Sequence, residues 1–530
     1  MPVRKKTYNL LFLLLSFLVY SSIFSQQAVN YDLKSEPHAH KAGADHSLFQ
    51  VLEKKFNSPE EVTQACLSCH TNRGKEFMTT PHWLWKQPNK DNKHDGTYML
   101  GKANVINNFC IGIESNEPRC TSCHAGYGWK NKDFNLTDQN KIDCLVCHDN
   151  TGTYKKFPTG AGYPADKDKV FKGNGKTFHK PDYNYIAQHV GLPKRQNCGA
   201  CHFTGGGGNN VKHGDLELAL NKTTKKVDVH MGIDGQNMQC IECHKTEHHN
   251  ITGKLYTIAS DNTNRVTCSQ CHIGKVHADE KINDHMAKVA CETCHIPVYA
   301  KVNPVKLWWD WSTAGKMKNG KPYKIEGPYG KDTYFTLKGS FEWGKNVKPE
   351  YQFFNGTASH TLLTDKIDPT KTVELNHLNG SYLDPNSKLI PVRVFRGRQI
   401  YDAKFNNLIQ PKLFGSKESG AYWKNFDWGK AAEAGMKYVG VPYSGKYGFV
   451  NTVTYWQIEH MVSPKEDALQ CQDCHVKEGG RLANINDPDL YVPGKDSNAA
   501  LDTFGVILLL LSLIGVSIHG FGRFYFNRKK

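Results

Sequence analysis

The chain has few apolar residues, and almost none of its cysteines lie outside one repeated motif. Hydrophobic residues make up 39% of its 530 positions. Of the 17 cysteines, all but Cys110 lie in one repeated motif. Structural zinc sites would need second half-sites at matching spacing and would not need a histidine directly after each pair, and a disulfide framework has no use for a histidine fixed after every second cysteine. The cysteine pattern therefore excludes a fold that is held together by structural zinc sites or by disulfide bonds.

The repeated motif is Cys-x-x-Cys-His. Its two thiols form thioethers to a porphyrin, and its histidine is placed to ligate the haem iron from one side. The motif count therefore predicts eight covalently bound haem c groups. The eight copies are Cys66, Cys69 and His70; Cys120, Cys123 and His124; Cys144, Cys147 and His148; Cys198, Cys201 and His202; Cys240, Cys243 and His244; Cys268, Cys271 and His272; Cys291, Cys294 and His295; and Cys471, Cys474 and His475.

Little polypeptide is available for each haem. The first seven motifs crowd into residues 66–295, about one per 33 residues. So short a segment cannot bury a conventional core, and the porphyrins must supply much of the apolar interior. We therefore predict a multihaem cytochrome c fold, mainly α with much irregular structure and few strands, a haem-packed core and one C-terminal transmembrane helix.

The formal net charge of +16 would ordinarily favour nucleic acid or anionic lipid as a partner. Eight haems bring about 16 propionate groups, which cancel about that much positive charge. Basic side chains are expected to pair with these propionates. We therefore expect no nucleic-acid function.

Both ends of the chain carry an apolar run. Residues 1–25 have the pattern of a signal peptide, with basic residues ahead of the run, and residues 26–45 follow as an N-terminal linker. Residues 504–522 contain no Asp, Glu, Lys or Arg and are long enough to span a bilayer. The basic tail, residues 523–530, predicts a cytoplasmic C-terminus and places the rest of the chain on the periplasmic side of the membrane.

Residues 46–476 form the predicted octahaem domain, and residues 477–503, polar and rich in Gly, Pro, Asp and Asn, form a predicted tether. Within the domain, residues 296–470 have no haem motif but hold seven of the ten tryptophans. We expect this wrapping segment to pack its aromatic rings on the haems. Turn signals at residues 326–330 favour irregular structure, and a helix is expected around 430–437.

The second axial ligands decide whether the haems are electron relays or sites of chemistry. A haem with two histidines is closed to substrate, whereas an exchangeable position allows binding and reaction. Seventeen histidines lie outside the motifs, enough for a pure electron conduit. His248 and His249 are neighbours, and one of the two is expected to ligate. The favoured second ligands are His46, His82, His213, His230, His249, His277, His285 and His460.

Cys110 lies ten residues before the second motif and has no cysteine left to pair with. A free thiol in an oxidising compartment is expected to be buried or used. Its proximity in sequence to Cys120 allows a place in that haem's pocket. Both an inert and a functional thiol stay open.

Several segments around these motifs resemble the octahaem tetrathionate reductases, relatives of the hydroxylamine-converting and nitrite-reducing octahaem cytochromes. The resemblance spans most of the exported part of the chain and is more specific than the haem motifs alone. The segments are 44–47, 65–70, 107–111, 143–149, 151–156, 198–208, 291–297 and 459–466.

The resemblance implies that one haem is catalytic, namely that of Cys120, Cys123 and His124, with Cys110 close by and a lysine amine as second ligand. Lys212 matches the family pattern best, and Lys194 is the alternative. A lysine ligates iron only as the free amine, which needs a lowered pKa. Where relatives carry an aspartate three residues before this lysine, the chain has Asn209, an amide that cannot supply protons.

The resemblance implies a periplasmic, membrane-anchored reductase that takes electrons from the quinol pool through a membrane quinol-oxidising or cytochrome b partner. The substrate would be tetrathionate and/or nitrite or hydroxylamine, reduced at the lysine-ligated haem. Two alternatives stay open. A non-catalytic electron-transfer cytochrome would have all eight haems bis-histidine, and an enzyme running oxidatively on hydroxylamine or hydrazine would resemble the hydroxylamine oxidoreductases with their tyrosine cross-link.

Overall fold

The computed structural model describes residues 43–485 and 487–528. The predicted signal peptide (1–25), most of the N-terminal linker (26–45) and the last two residues of the basic tail lie outside these ranges. The predicted fold class is confirmed: short helices and irregular segments carry the haem motifs, strands are few, and one long apolar helix ends the chain.

The helices before residue 300 are mostly one or two turns long. Two cysteines three positions apart lie on one face of such a turn, and the histidine follows where the helix ends. His70, His244 and His475 each stand at the C-terminal cap position of their motif helix. These helices are α1 Pro59–Cys69, α2 Arg73–Phe77, α3 Pro81–Leu84, α4 Glu117–Cys120, α5 Leu145–His148, α6 Tyr183–Gln188, α7 Arg195–His202, α8 Cys240–Cys243, α9 Glu280–His285 and α10 Cys291–His295.

Helix α1 illustrates why the sequence folds this way. The Ser58 side chain accepts a hydrogen bond from the Glu61 amide at 3.3 Å, and Pro59 occupies the first turn, where its missing N–H costs nothing. Val62 and Ala65 are buried against Leu145 and neighbouring residues of the third motif region. The first and third motifs are thereby packed together.

The strands concentrate in the wrapping segment, where irregular structure was expected. A nine-stranded sheet has the order β13-β17-β15-β7-β10-β9-β8, and β11 and β16 also pair with β15. The small two-stranded ribbons are β1 with β2, β3 with β4, β5 with β6 and β12 with β14. The strands are β1 Gln87–Asn89, β2 Tyr98–Leu100, β3 Lys169–Phe171, β4 Lys176–Phe178, β5 Thr246–Glu247, β6 Asn250–Ile251, β7 Val305–Asp310, β8 Lys324–Glu326, β9 Asp332–Phe335, β10 Gly339–Gly344, β11 Glu350–Phe354, β12 Ala358–His360, β13 Val373–Glu374, β14 Asn376–Leu378, β15 Lys388–Asp402, β16 Asn407–Leu408 and β17 Tyr447–Gln457.

The centre of the sheet is its long strand. β15 pairs antiparallel with β17 from Val392 to Asp402 and parallel with β7 at Gly397 and Trp309. Helices α11 Tyr422–Asn425 and α12 Trp428–Val439 follow, and α12 confirms the helix expected around 430–437. Trp309, Trp311 and Trp428 pack in one buried cluster with the sheet. These three tryptophans therefore form a core within the wrapping segment.

The C-terminal region differs from the expected tether. After α13 Cys471–Cys474, Leu482 and Val492 are buried against strand residues of β11 and β15, so residues 482–485 and 487–496 are docked on the domain. The free linker is therefore only a few residues long. Helix α14, Ala499–Asn527, contains the predicted span 504–522 and is long and apolar enough to cross a membrane.

Candidate haem cavity and active site

The first seven motifs open onto one connected cavity of about 3780 Å³. Every cysteine thiol is free of disulfides. Among the described residues no group of three or more His, Cys, Asp or Glu side chains is arranged to hold a metal ion by itself. Paired thiols and single histidines around a shared apolar cavity fit covalent haem and do not fit structural zinc.

Seven motif histidines each face a second histidine. Two imidazoles on opposite sides of one metal, each nitrogen about 2 Å from it, place their ring centroids roughly 6 Å apart. The observed centroid distances run from 6.0 to 6.5 Å. The residues therefore fit iron bound between the rings. The pairs are His70 with His46, His148 with His249, His202 with His82 and with His213, His244 with His460, His272 with His230, His295 with His277, and His475 with His285.

Backbone carbonyls fix several motif rings. The Nδ1 atoms of His148, His244 and His475 each lie 2.8 Å from a carbonyl oxygen, so Nε2 is the nitrogen left for iron. On the facing side, Nε2 of His213 is buried without a hydrogen-bond partner in the described chain. All eight predicted second ligands lie opposite a motif histidine, whereas His248 is more exposed and lies 3.2 Å from Glu76.

The second motif differs from the other seven. Two of the candidate ligands, His82 and His213, face the same ring of His202, and no histidine of the described residues faces His124 in this way. The His124 ring is fully buried among Trp83, Trp85 and other aromatic rings, and its Nε2 lies 2.7 Å from the Trp83 carbonyl oxygen. Burial lowers the pKa of His124 to about 3.

Lys212 lies beside this motif. Its Nζ sits 5.2 Å from the centre of the Trp456 ring, and it is close enough to Cys123 for their charges to interact. Burial, followed by the charge of Lys102, lowers the pKa of Lys212 to about 7. The Arg393 guanidinium donates to the Lys212 carbonyl and fixes the backbone. Lys194, the alternative, is exposed at the N-terminal cap of α7 and does not line the cavity.

A glycine loop joins Lys212 to Cys110. The Sγ of Cys110 lies 3.7 Å from the Gly206 carbonyl oxygen. A Cβ atom placed on Gly205 would lie 3.3 Å from Cδ of Lys212, and Gly206 has a φ of +77° that favours glycine. The thiol of Cys110 also acts electrostatically on Cys120. The loop thus brings the free thiol, the buried amine and the second motif together.

Asn209 closes the same loop. Its Oδ1 accepts a hydrogen bond from the Leu218 amide at 2.8 Å, and the residue lines the cavity. An amide in this position has no proton to give up. Sequence reasoning identified this residue but missed two lysines of the wrapping segment, Lys306 and Lys338, which interact electrostatically with Cys110. The available signal for Lys306 was its position within the tryptophan-rich strand β7.

The motifs follow a fixed order in space. Thiols of neighbouring motifs interact along a path that runs from the eighth motif through the seventh, sixth, fifth and fourth to the second. A branch leaves this path at the fourth motif and leads to the third motif and then to the first. The path ends at the motif beside Lys212 and Cys110. The interacting thiols are Cys471 with Cys294, Cys291 with Cys268, Cys271 with Cys243, Cys240 with Cys198, Cys201 with Cys123, Cys198 with Cys147, and Cys144 with Cys66.

Comparison with known proteins agrees with this arrangement. Residues 306–478 match the family described as bacterial cytochrome c, and residues 65–149 match the family of cytochrome c554 and c-prime. An uncharacterized protein of Archaeoglobus fulgidus is 22% identical over 242 residues, covering 39% of this chain and 79% of that protein. The crystal structure of octaheme cytochrome c from Shewanella oneidensis is similar with a TM-score of 0.74 and 45% identity, over 82% of this chain and 94% of that one.

Proposed function

Because the chain belongs to the octahaem c-type cytochromes, we propose that it is a membrane-anchored reductase in which one haem differs from the other seven. The observation that carries this proposal is the second motif, where no histidine of the described residues faces His124, and where Lys212 lies close to Cys123 and Cys110 close to Cys120. Covalently bound haem supplies redox-active iron whose reactivity depends on its second axial ligand. An amine with a lowered pKa is a suitable and exchangeable ligand.

Of the candidate substrates, tetrathionate suits the site best. Cleavage of its central S–S bond takes up two electrons and yields two thiosulfate anions without consuming a proton. Reduction of nitrite or hydroxylamine to ammonium consumes protons as well as electrons. Asn209 supplies none, and the positive charge of Lys102, which acts on Lys212, favours an anion. The thiol of Cys110 adds a sulfur atom that a sulfur substrate can contact.

The C-terminal geometry supports a membrane electron donor. The carbonyl oxygen of Pro493 accepts a hydrogen bond from Nδ1 of His475 in the eighth motif. Helix α14 begins at Ala499, only six positions further along the chain. At about 3.5 Å per residue, this linker reaches roughly 20 Å. The eighth motif therefore stays near the membrane surface if α14 is the anchor. We place the domain on the periplasmic side and a quinol-oxidising or cytochrome b partner beside this motif.

One observation favours a second candidate, an electron-transfer cytochrome without catalysis. His82 and His213 both face His202, so one of them is surplus there. A shift of that residue to the second motif would make all eight haems bis-histidine.

Turnover with a soluble dye separates the two candidates. Oxidation of reduced methyl viologen by tetrathionate, nitrite and hydroxylamine is measured for the wild type and for Lys212→Leu, with Lys194→Leu as the surface control. The reductase predicts tetrathionate turnover that Lys212→Leu abolishes and Lys194→Leu leaves intact. Absence of turnover with all three substrates would leave the electron-transfer role.

A further inference from the structure

Two lysines of the wrapping segment lie beside Cys110 without a carboxylate of their own. Lys306 is 5% exposed on strand β7, and its Nζ lies 3.8 Å from the centre of the Trp309 ring and 3.5 Å from that of Phe341. Lys338 lines the cavity, with its Nζ 5.7 Å from the centre of the Trp309 ring. Cys110 interacts electrostatically with both lysines.

The acids around these lysines are already engaged. Asp332 is the carboxylate that acts on both, and it forms an ion pair with Lys324 at 2.8 Å. In the described part of the chain neither Lys306 nor Lys338 forms an ion pair. Burial lowers the pKa of both amines. Buried positive charge without a counter-ion is costly, and a bound anion would offset that cost.

The backbone aims Lys338 at the glycine loop. The indole N–H of Trp309 donates to the Lys338 carbonyl at 2.7 Å and fixes the base of its side chain. A Cβ atom on Gly207 would lie 3.6 Å from the Lys338 Nζ. Three consecutive glycines thus stand next to Lys212, Cys110 and Lys338 in turn.

We propose that Lys338, with Lys306 behind it, binds one sulfonate end of a dianionic polythionate and directs the sulfur chain towards Cys110. The proposal rests on the reductase function and names the residues that bind its substrate. Lys338 contacts the substrate directly. Lys306 packs against the Trp309 ring and acts on the bound anion only through its positive charge. A charge-assisted hydrogen bond to a sulfonate is stronger than any contact a neutral hydroxylamine can make with an ammonium. The two lysines therefore select for a dianion.

The competing occupant of Lys338 is a haem propionate, which carries the same kind of negative charge. A propionate partner would be bound whether or not substrate is present. Its loss would change the haem reduction potential and leave tetrathionate affinity unchanged. The test must therefore measure binding separately from turnover.

Tetrathionate binding to the oxidised protein is measured by isothermal titration for Lys338→Met, Lys338→Arg and Lys306→Met. Lys254→Met is the control, because Lys254 lines the same cavity but pairs with Asp261. Unchanged haem spectra establish that each variant is folded. We expect Lys338→Met to raise the Kd for tetrathionate about tenfold or more, Lys306→Met to raise it less, and Lys338→Arg and Lys254→Met to stay near the wild type.

The KM values for tetrathionate and hydroxylamine give the second readout. We expect Lys338→Met to raise the KM for tetrathionate and to leave that for hydroxylamine within about twofold. An unchanged Kd for tetrathionate in Lys338→Met, or an equal change in KM for both substrates, would overturn the proposal. If the wild type binds tetrathionate but turns over no substrate, the reductase function fails while the binding role of Lys338 is still decided by the Kd values.

Discussion

The Sγ of Cys110 lies 3.7 Å from the carbonyl oxygen of Gly206, at the bend of the loop that carries Lys212. Once haem is attached, the other sixteen cysteines are thioethers, so Cys110 becomes the one thiol available for alkylation. We expect iodoacetamide to modify one cysteine per chain and tetrathionate to slow the reaction, as read by mass spectrometry. Modification at the same rate with and without tetrathionate would contradict a place for Cys110 in the substrate pocket.

Asn209 offers a test of proton supply. In Asn209→Asp a carboxylate would stand in the cavity, where it repels an anion and can pass a proton to a bound substrate. We expect the KM for tetrathionate to rise several-fold and the rate of hydroxylamine reduction to increase. Steady-state kinetics with both substrates provide the measurement. Asn210→Asp is not a suitable control, since Asn210 is fully buried; Asn221→Asp, which also lines the cavity, serves instead.

How much of the site could be predicted depends on how far apart in the sequence the interacting residues lie. The covalent motifs are local, because two thioethers and a proximal histidine need residues within five positions. The predicted second ligands all face a motif histidine, and most of them were chosen because they lie close to motifs or in segments dense with motifs. Which ring faces which could not be predicted: His460 meets His244 across more than 200 positions. The double approach of His82 and His213 to His202 is likewise a property of the folded chain.

The fold was predictable in class and less so in detail. Short motif helices follow from the small amount of chain per haem. The nine-stranded sheet could not be predicted from the sequence. Its central strand β15 is buried on both faces and lacks the alternation of apolar and polar residues that marks a half-exposed strand. The polar composition of the expected tether likewise did not predict its packing. Among its polar residues lie two apolar side chains, Leu482 and Val492, which pack against the domain.

The docked C-terminal segment predicts a difference between two truncations. Ending the chain after Asn498 removes α14 but keeps the Pro493 carbonyl that bonds His475. Ending it after Val476 removes that carbonyl and the anchors at Leu482 and Val492. We expect the longer form to leave the membrane fraction with its full haem content and dye-driven activity. The shorter form should lose the eighth haem, as counted by pyridine haemochrome and mass. Equal haem content in both forms would show that the docked segment is dispensable.

A charged cluster predicts how stability depends on pH. Asp365 lies 2.8 Å from the Lys93 ammonium and 3.0 Å from His94. Burial acts to raise the pKa of Asp365, but its hydrogen bonds outweigh this and hold the pKa below its ordinary value. A lowered carboxyl pKa gives stability that is present above about pH 4 and is lost as the pH falls through the folded-state pKa.

We therefore expect Asp365→Asn to lower stability by about 1 to 2 kcal/mol at pH 7, with the difference shrinking towards pH 3. Thermal unfolding of the wild type and the variant across this pH range gives the measurement. Asp368→Asn is the control, because its carboxylate is exposed in the same loop. A difference in Tm that stays constant with pH would show that the ionised carboxylate is not the cause.

The central claim is that one haem iron differs from the other seven, and electron paramagnetic resonance of the oxidised protein tests it most directly. The spectrum is recorded with and without tetrathionate, for the wild type and for Lys212→His. We predict one iron with a distinct ligand field that changes with tetrathionate and becomes bis-histidine in Lys212→His. Eight bis-histidine signals in the wild type, unchanged by tetrathionate and by the substitution, would contradict the account.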